Sequence, residues 1–147
     1  MTSEHDLALS LIRRAEEDLA AVQAMLQAPA IADVVVGLHA QQAVERALKA
    51  VLAAGGLEYP FTHDIDALAE LCEAAGTQLP SELDEADRLT PYAALVRYDQ
   101  VPHGSVKRHD AGRLAQAAVA WARQAIADEQ PDTLLSQESN GPAHEDS

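Results

Sequence analysis

Gly37-Leu38-His39-Ala40-Gln41-Gln42-Ala43-Val44-Glu45-Arg46-Ala47-Leu48-Lys49-Ala50-Val51-Leu52 is the stretch whose reading decides the fold. Ala, Leu, Gln, Glu, Lys and Arg are strong helix formers, and nothing after Gly37 breaks the run until Gly55-Gly56. The spacing predicts a helix over 32–54. At about 100° per residue, Leu38, Gln42, Glu45, Lys49 and Leu52 fall on one side, beside Leu48. That arc admits two readings. Glu45 and Lys49 form an i,i+4 ion pair on a solvated face, or Gln42, Glu45 and Lys49 form a semi-buried polar seam that another helix, another subunit or a ligand must satisfy.

Other helices are expected on either side of this one. Ser3 with Asp6 three residues on reads as a capping box opening a helix over 4–27, which Pro29 stops. Leu7, Leu11, Ala15, Leu19, Val22 and Leu26 are its expected apolar stripe. Downstream, Thr62 is the expected cap of a third helix with Ile65, Leu68, Cys72 and Ala75 inward, closed by Gly76. Ser81 opens a fourth stretch, in which Thr90-Pro91 reads as cap and first position of a continuing helix ending near Tyr98. A fifth helix is expected over 110–127, with Leu114, Ala118, Trp121, Ala125 and Ile126 inward. Short connections between long helices predict an all-α, up-and-down bundle of four to five antiparallel helices.

Composition agrees. The chain has 147 residues, enough for one domain with a core of its own. Ala accounts for 30 of them and aromatic residues for five, which favours closely packed helices over sheets. So few rings also exclude a protein that coats single-stranded nucleic acid, whose bases need aromatic platforms. The net charge is −14, which disfavours broad phosphate-backbone binding. That charge is uneven. Residues 128–147 hold six of the 24 acids and none of the 10 bases, together with Pro131, Gly141 and Pro142, so a disordered acidic tail is expected there. Residues 1–127, the expected helical domain, keep −8. Lone Cys72 excludes an internal disulfide and a cysteine zinc site. With no His-Glu-x-x-His and no clustered acidic loop, neither a metal nor a cofactor is expected. No apolar run reaches a membrane span and the first residues are acidic, so the expectation is a soluble, cytoplasmic domain.

Two further segments carry candidate chemistry. Thr62-His63-Asp64 reads first as a helix start, with His63 packed or hydrogen-bonded beside it. Val96-Arg97-Tyr98-Asp99-Gln100-Val101-Pro102-His103-Gly104-Ser105 places five residues between Arg97 and His103. An Arg fork can stabilise phosphoryl oxygens while a His moves the proton of an attacking hydroxyl. The plainer alternative has Arg97 bonding helix-end carbonyls and His103 exposed.

Taken in order, His39-Ala-Gln-Gln-Ala-Val-Glu-Arg-Ala-Leu-Lys-Ala-Val-Leu, the glycine pair, Thr62-His-Asp-Ile with Leu68, and Leu95-Val-Arg-Tyr-Asp resemble the HEPN domain, the nucleotide-binding domain of higher eukaryotes and prokaryotes. The resemblance runs from Leu7 to Ala127. It implies a helical bundle that forms a homodimer, in many prokaryotic relatives the toxin partner of a minimal nucleotidyltransferase antitoxin. Active members are metal-independent endoribonucleases with an Arg, four to six residues, then a His, and two copies meet to form the site. Carried over, Arg97 would bind the scissile phosphate and His103 would move protons at the ribose 2′-hydroxyl and the leaving oxygen. Toxin members often place a Tyr two residues after the His, where this chain has Ser105. Many relatives with the Gln-Gln-Ala helix keep Arg-Tyr without a functional His. The second implied reading is therefore a non-catalytic module that binds a nucleotide such as ATP, or a nucleotidyltransferase, through Gln42, Glu45, Lys49 and His63.

Overall fold

A computed structural model describes residues 3–94 and 105–129. The architecture is all-α, a bundle of helices packed on one another: α1 (Glu4–Leu26), α2 (Asp33–Ala54), α3 (Ile65–Ala74) and α4 (Arg108–Glu129). Between α3 and α4 run two 3-10 segments, Ser81–Leu83 and Ala86–Ala94. The decisive stretch lies in α2, and α2 is the axle of the fold. It packs against α1, α4, α3 and the second 3-10 segment, and 15 of its 22 residues are buried. A helix enclosed on nearly every side needs small residues where neighbours approach. Ala40, Ala43, Ala47 and Ala50 supply them, each with no exposed surface.

Local chemistry sets the helix ends. Ser3 Oγ accepts from the Asp6 amide at 3.1 Å and Asp6 returns an acceptor to the Ser3 amide, so the expected capping box is present. Helix α2 ends as its glycine pair predicts. Leu57 N–H donates to Leu52 O and Gly56 N–H to Ala53 O, with Gly56 at φ +73°. Gly76, at φ +98°, closes α3 with the same pair of bonds to Cys72 O and Glu73 O. Both positions need the left-handed backbone that glycine adopts without steric strain.

Several expectations are corrected. The inward face of α1 is rotated: Ala8, Ile12, Ala15, Asp18 and Val22 are buried, whereas Leu7 is 40% exposed and Leu11, Leu19 and Leu26 are only partly buried. Ala15 and Val22 of the expected stripe stay buried, and Asp18 on the same face bonds Arg46 of α2. The cap of α3 is Asp64, not Thr62: its Oδ1 accepts from the amides of Asp66 and Ala67, while Thr62 Oγ1 accepts from the Asp64 amide. A carboxylate in the cap position satisfies two orphan amides at once. Ala75, expected inward, is the exposed C-cap.

Over its described part, residues 81–94, the fourth stretch is not α-helical; its expected end near Tyr98 lies outside the described residues. Pro91 sits inside the 3-10 segment Ala86–Ala94 rather than starting a new helix, and its missing N–H removes a bond an α-helix would use. Thr90, the expected cap of that helix, instead accepts through Oγ1 from the Ile65 amide and so helps to close the start of α3. Helix α4 is longer than expected by two residues at each end. Its last turn takes in Asp128 and Glu129, which the charge pattern assigns to the tail; residues 130–147 lie outside the described residues. Gly112, Ala115 and Ala122 line its core face, and Trp121 and Ala125 are half-buried at its edge.

Tyr92 organises the far end. It is buried flat against Gly37, where a Cβ would come within 2.5 Å of its ring, and its hydroxyl accepts from the Val106 amide at 2.9 Å. One side chain thus joins the two flanks of residues 95–104. Arg108 ties the start of α4 to the α1–α2 connection, through Asp33 and the carbonyls of Met25, Ala28 and Ile31.

Candidate functional site

Residues 41, 45 and 49 stand one turn apart on α2, so Gln41, Glu45 and Lys49 stack along one edge of the helix. Glu45 is 9% exposed, and it is fully engaged. Gln41 Nε2 donates to its Oε1 at 2.6 Å and Lys49 Nζ to its Oε2 at 2.9 Å. The third partner is His63, just ahead of the α3 cap, whose Nδ1 lies 2.8 Å from Oε1. The Thr62–Asp64 turn that prepares α3 therefore also delivers the imidazole to α2.

Electrostatics follow from this arrangement. Burial pushes the Glu45 carboxyl upward, but hydrogen bonds from Lys49, His63 and Gln41, with the Lys49 charge, outweigh it and hold the group below the ordinary 4.5. Glu45 is consequently ionised at neutral pH and can only accept, so His63 Nδ1 must be the donor. The opposite nitrogen, Nε2, belongs to a side chain that is 70% exposed. With His63 neutral, Glu45 and Lys49 cancel; a proton on His63 makes the cluster cationic. Lys49 is further confined by the Tyr59 ring, 5.5 Å from Nζ to the ring centre.

This arrangement decides between the two readings of the α2 arc. Glu45 and Lys49 are not a solvated surface pair; their side chains are each only 12% exposed. Of the four binding residues expected from the sequence, Glu45, Lys49 and His63 come together. Gln42 does not bond Glu45, and its neighbour Gln41 takes that place. The i,i+4 ladder 41–45–49 was the signal for Gln41. Nothing in the spacing indicated Tyr59. The expected catalytic pair, Arg97 and His103, lies outside the described residues.

Beside this cluster α2 carries a second buried carboxylate contact. Arg46, the next residue, bonds Asp18 of α1 at 2.5 Å. Among the described residues no group of three or more His, Cys, Asp or Glu side chains is placed to hold a metal ion. Among the described residues no helix is long and apolar enough to cross a membrane.

Compared with known families, residues 8–126 match the HEPN domain, and the chain belongs to that family. No curated protein and no solved structure gives a match.

Proposed function

We propose that this HEPN chain is a nucleotide-binding module whose ligand meets the Glu45–Lys49–His63 cluster, the chain acting as a homodimer alongside a nucleotidyltransferase partner. The single observation that carries the reading is an exposed imidazole oriented by a buried, saturated carboxylate. A structural ion pair needs no such solvent-facing member. With Glu45 and Lys49 cancelling, a second proton on His63 would give the cluster its net positive charge and an Nε2–H donor for a phosphate, in a chain otherwise strongly acidic. Calorimetry of the full chain with ATP tests it. Binding is expected in the wild type and lost in the double variant Glu45→Ala, Lys49→Ala; unchanged affinity removes the cluster as the site.

A second reading, the toxin-type endoribonuclease, draws on the five-residue spacing between Arg97 and His103 and on the Tyr92–Val106 bond that joins the flanks of that segment. In that chemistry His103 accepts the 2′-hydroxyl proton as the oxygen attacks phosphorus, and Arg97 stabilises the phosphoryl charge as the 5′-oxygen leaves. RNA incubated with excess chelator should then be cleaved by the wild type and spared by Arg97→Ala and by His103→Ala. Cleavage that persists in both variants, or none by the wild type at any concentration, sinks this reading. The acidic segment after Glu129 fits either reading as an electrostatic competitor for the ligand, and its removal should raise affinity.

A further inference from the structure

The chain is poor in aromatic rings, and the fold uses most of the described ones. Tyr92 is buried, Tyr59 faces Lys49, and Trp121 Nε1 donates to the Gln78 carbonyl. Phe61 is different. It is 107% exposed, the most exposed large apolar side chain among the described residues, and the core makes no use of it. It stands two residues before His63, so their Cα atoms lie at most about 7 Å apart. Pro60 precedes it with a fixed φ, and the Thr62 hydroxyl holds the following turn through the Asp64 amide.

We infer that Phe61 is a stacking platform for the base of a nucleotide whose phosphates are met by His63 and Lys49, a role that rests on the nucleotide-binding reading above. One ribose separates base from phosphate, a span within reach of side chains two residues apart in the chain. An exposed ring two residues from an exposed imidazole fits a ligand with one flat apolar end and one anionic end. A lone ring serves one base. The shortage of rings that excludes a strand-coating protein is therefore consistent with a mononucleotide ligand. Stacking reads area rather than hydrogen-bonding edges, so purine nucleotides are preferred over pyrimidine nucleotides, with little distinction between ATP and GTP.

Calorimetry of the full chain with ATP and with inorganic tripolyphosphate, which has the charge without the base, tests the platform. ATP should bind the wild type more tightly than tripolyphosphate. Phe61→Ala should weaken ATP by about 5- to 150-fold and leave tripolyphosphate unchanged, while Phe61→Trp keeps ATP binding. A 2-aminopurine nucleotide should be quenched on binding the wild type and Phe61→Trp, and not on binding Phe61→Ala. If Phe61→Ala binds ATP as tightly as the wild type while His63→Ala does not, the platform is overturned and the phosphate site stands. Equal loss of ATP and tripolyphosphate in Phe61→Ala assigns the ring a structural role and also overturns the platform. So does weakened self-association in sedimentation with ATP binding intact, which assigns the ring to a contact between copies. Failure of the wild type to bind either ligand overturns the nucleotide reading itself, and the platform with it.

Discussion

Glu45 and Arg46 are neighbours on α2, turned about 100° from each other, and each belongs to a contact around a buried carboxylate. The two contacts have opposite designs. Arg46 reaches across to Asp18 and pins α1 to α2; both partners come from bundle helices. Glu45 gathers donors from its own helix and from His63 in the loop before α3, and the last of these donors faces solvent. A pair that only stabilises has no reason to present an open valence. The difference separates a polar contact between two bundle helices from one that, on the proposed reading, offers a group to a ligand.

Breaking the first contact should have the largest effect on stability. Asp18→Ala leaves Arg46, one-third exposed, without its carboxylate, and should lower stability by about 2 kcal/mol with ATP affinity unchanged. Urea unfolding measures the loss. The Cys72 thiol gives a second readout, because burial, with the neighbouring Glu73 charge, pushes it up to about 12. It should resist a thiol reagent in the folded chain and react faster in this variant. Altered ATP affinity would show that the two contacts are one network.

Glu45→Gln should come next, with a loss of about 1 kcal/mol at neutral pH. Its distinguishing feature is pH dependence. A carboxyl held below its ordinary value contributes stability that is present above the unfolded value of 4.5 and lost as pH falls through the lower folded value. Wild-type stability should therefore decline on acidification below about pH 4.5 more steeply than that of Glu45→Gln. Parallel curves would mean that the charge of Glu45 is not what its donors stabilise.

The smallest change in stability is expected for His63→Ala, within about 0.5 kcal/mol, because the side chain is 70% exposed. This substitution should nevertheless weaken ATP by tenfold or more. A variant that melts like the wild type and fails to bind would separate the two contacts most sharply. One that loses stability and keeps binding would reverse their assignment.

The all-α fold was legible in the chain because its signals are local. Ser3 with Asp6, Gly56 and Gly76 specify helix ends through backbone geometry within a few residues, and each end lies within two residues of expectation. Which face of α1 turns inward was not legible. Leucine outweighs alanine in any periodicity count, yet the buried face carries Ala8, Ile12, Ala15, Asp18 and Val22, with Asp18 bonded to Arg46 of α2. The 3-10 course of Ala86–Ala94 was hidden for a related reason: Thr90-Pro91 fits a helix start locally, whereas Thr90 is engaged by Ile65 and Tyr92 by Val106.

The sequence by itself determined that residues 38–54 lie in a helix, that Glu45 and Lys49 share its edge, and that a histidine precedes a capped turn. Those are consequences of a 3.6-residue repeat and of cap chemistry, which act over short separations. Only the tertiary structure decided that this edge is buried, that His63 closes on Glu45 across 18 residues of chain, and that Phe61 beside it stays in solvent. Burial is set by what packs against a helix. Long-range packing therefore turned a pair that sequence allows at any surface into a carboxylate with a histidine to offer.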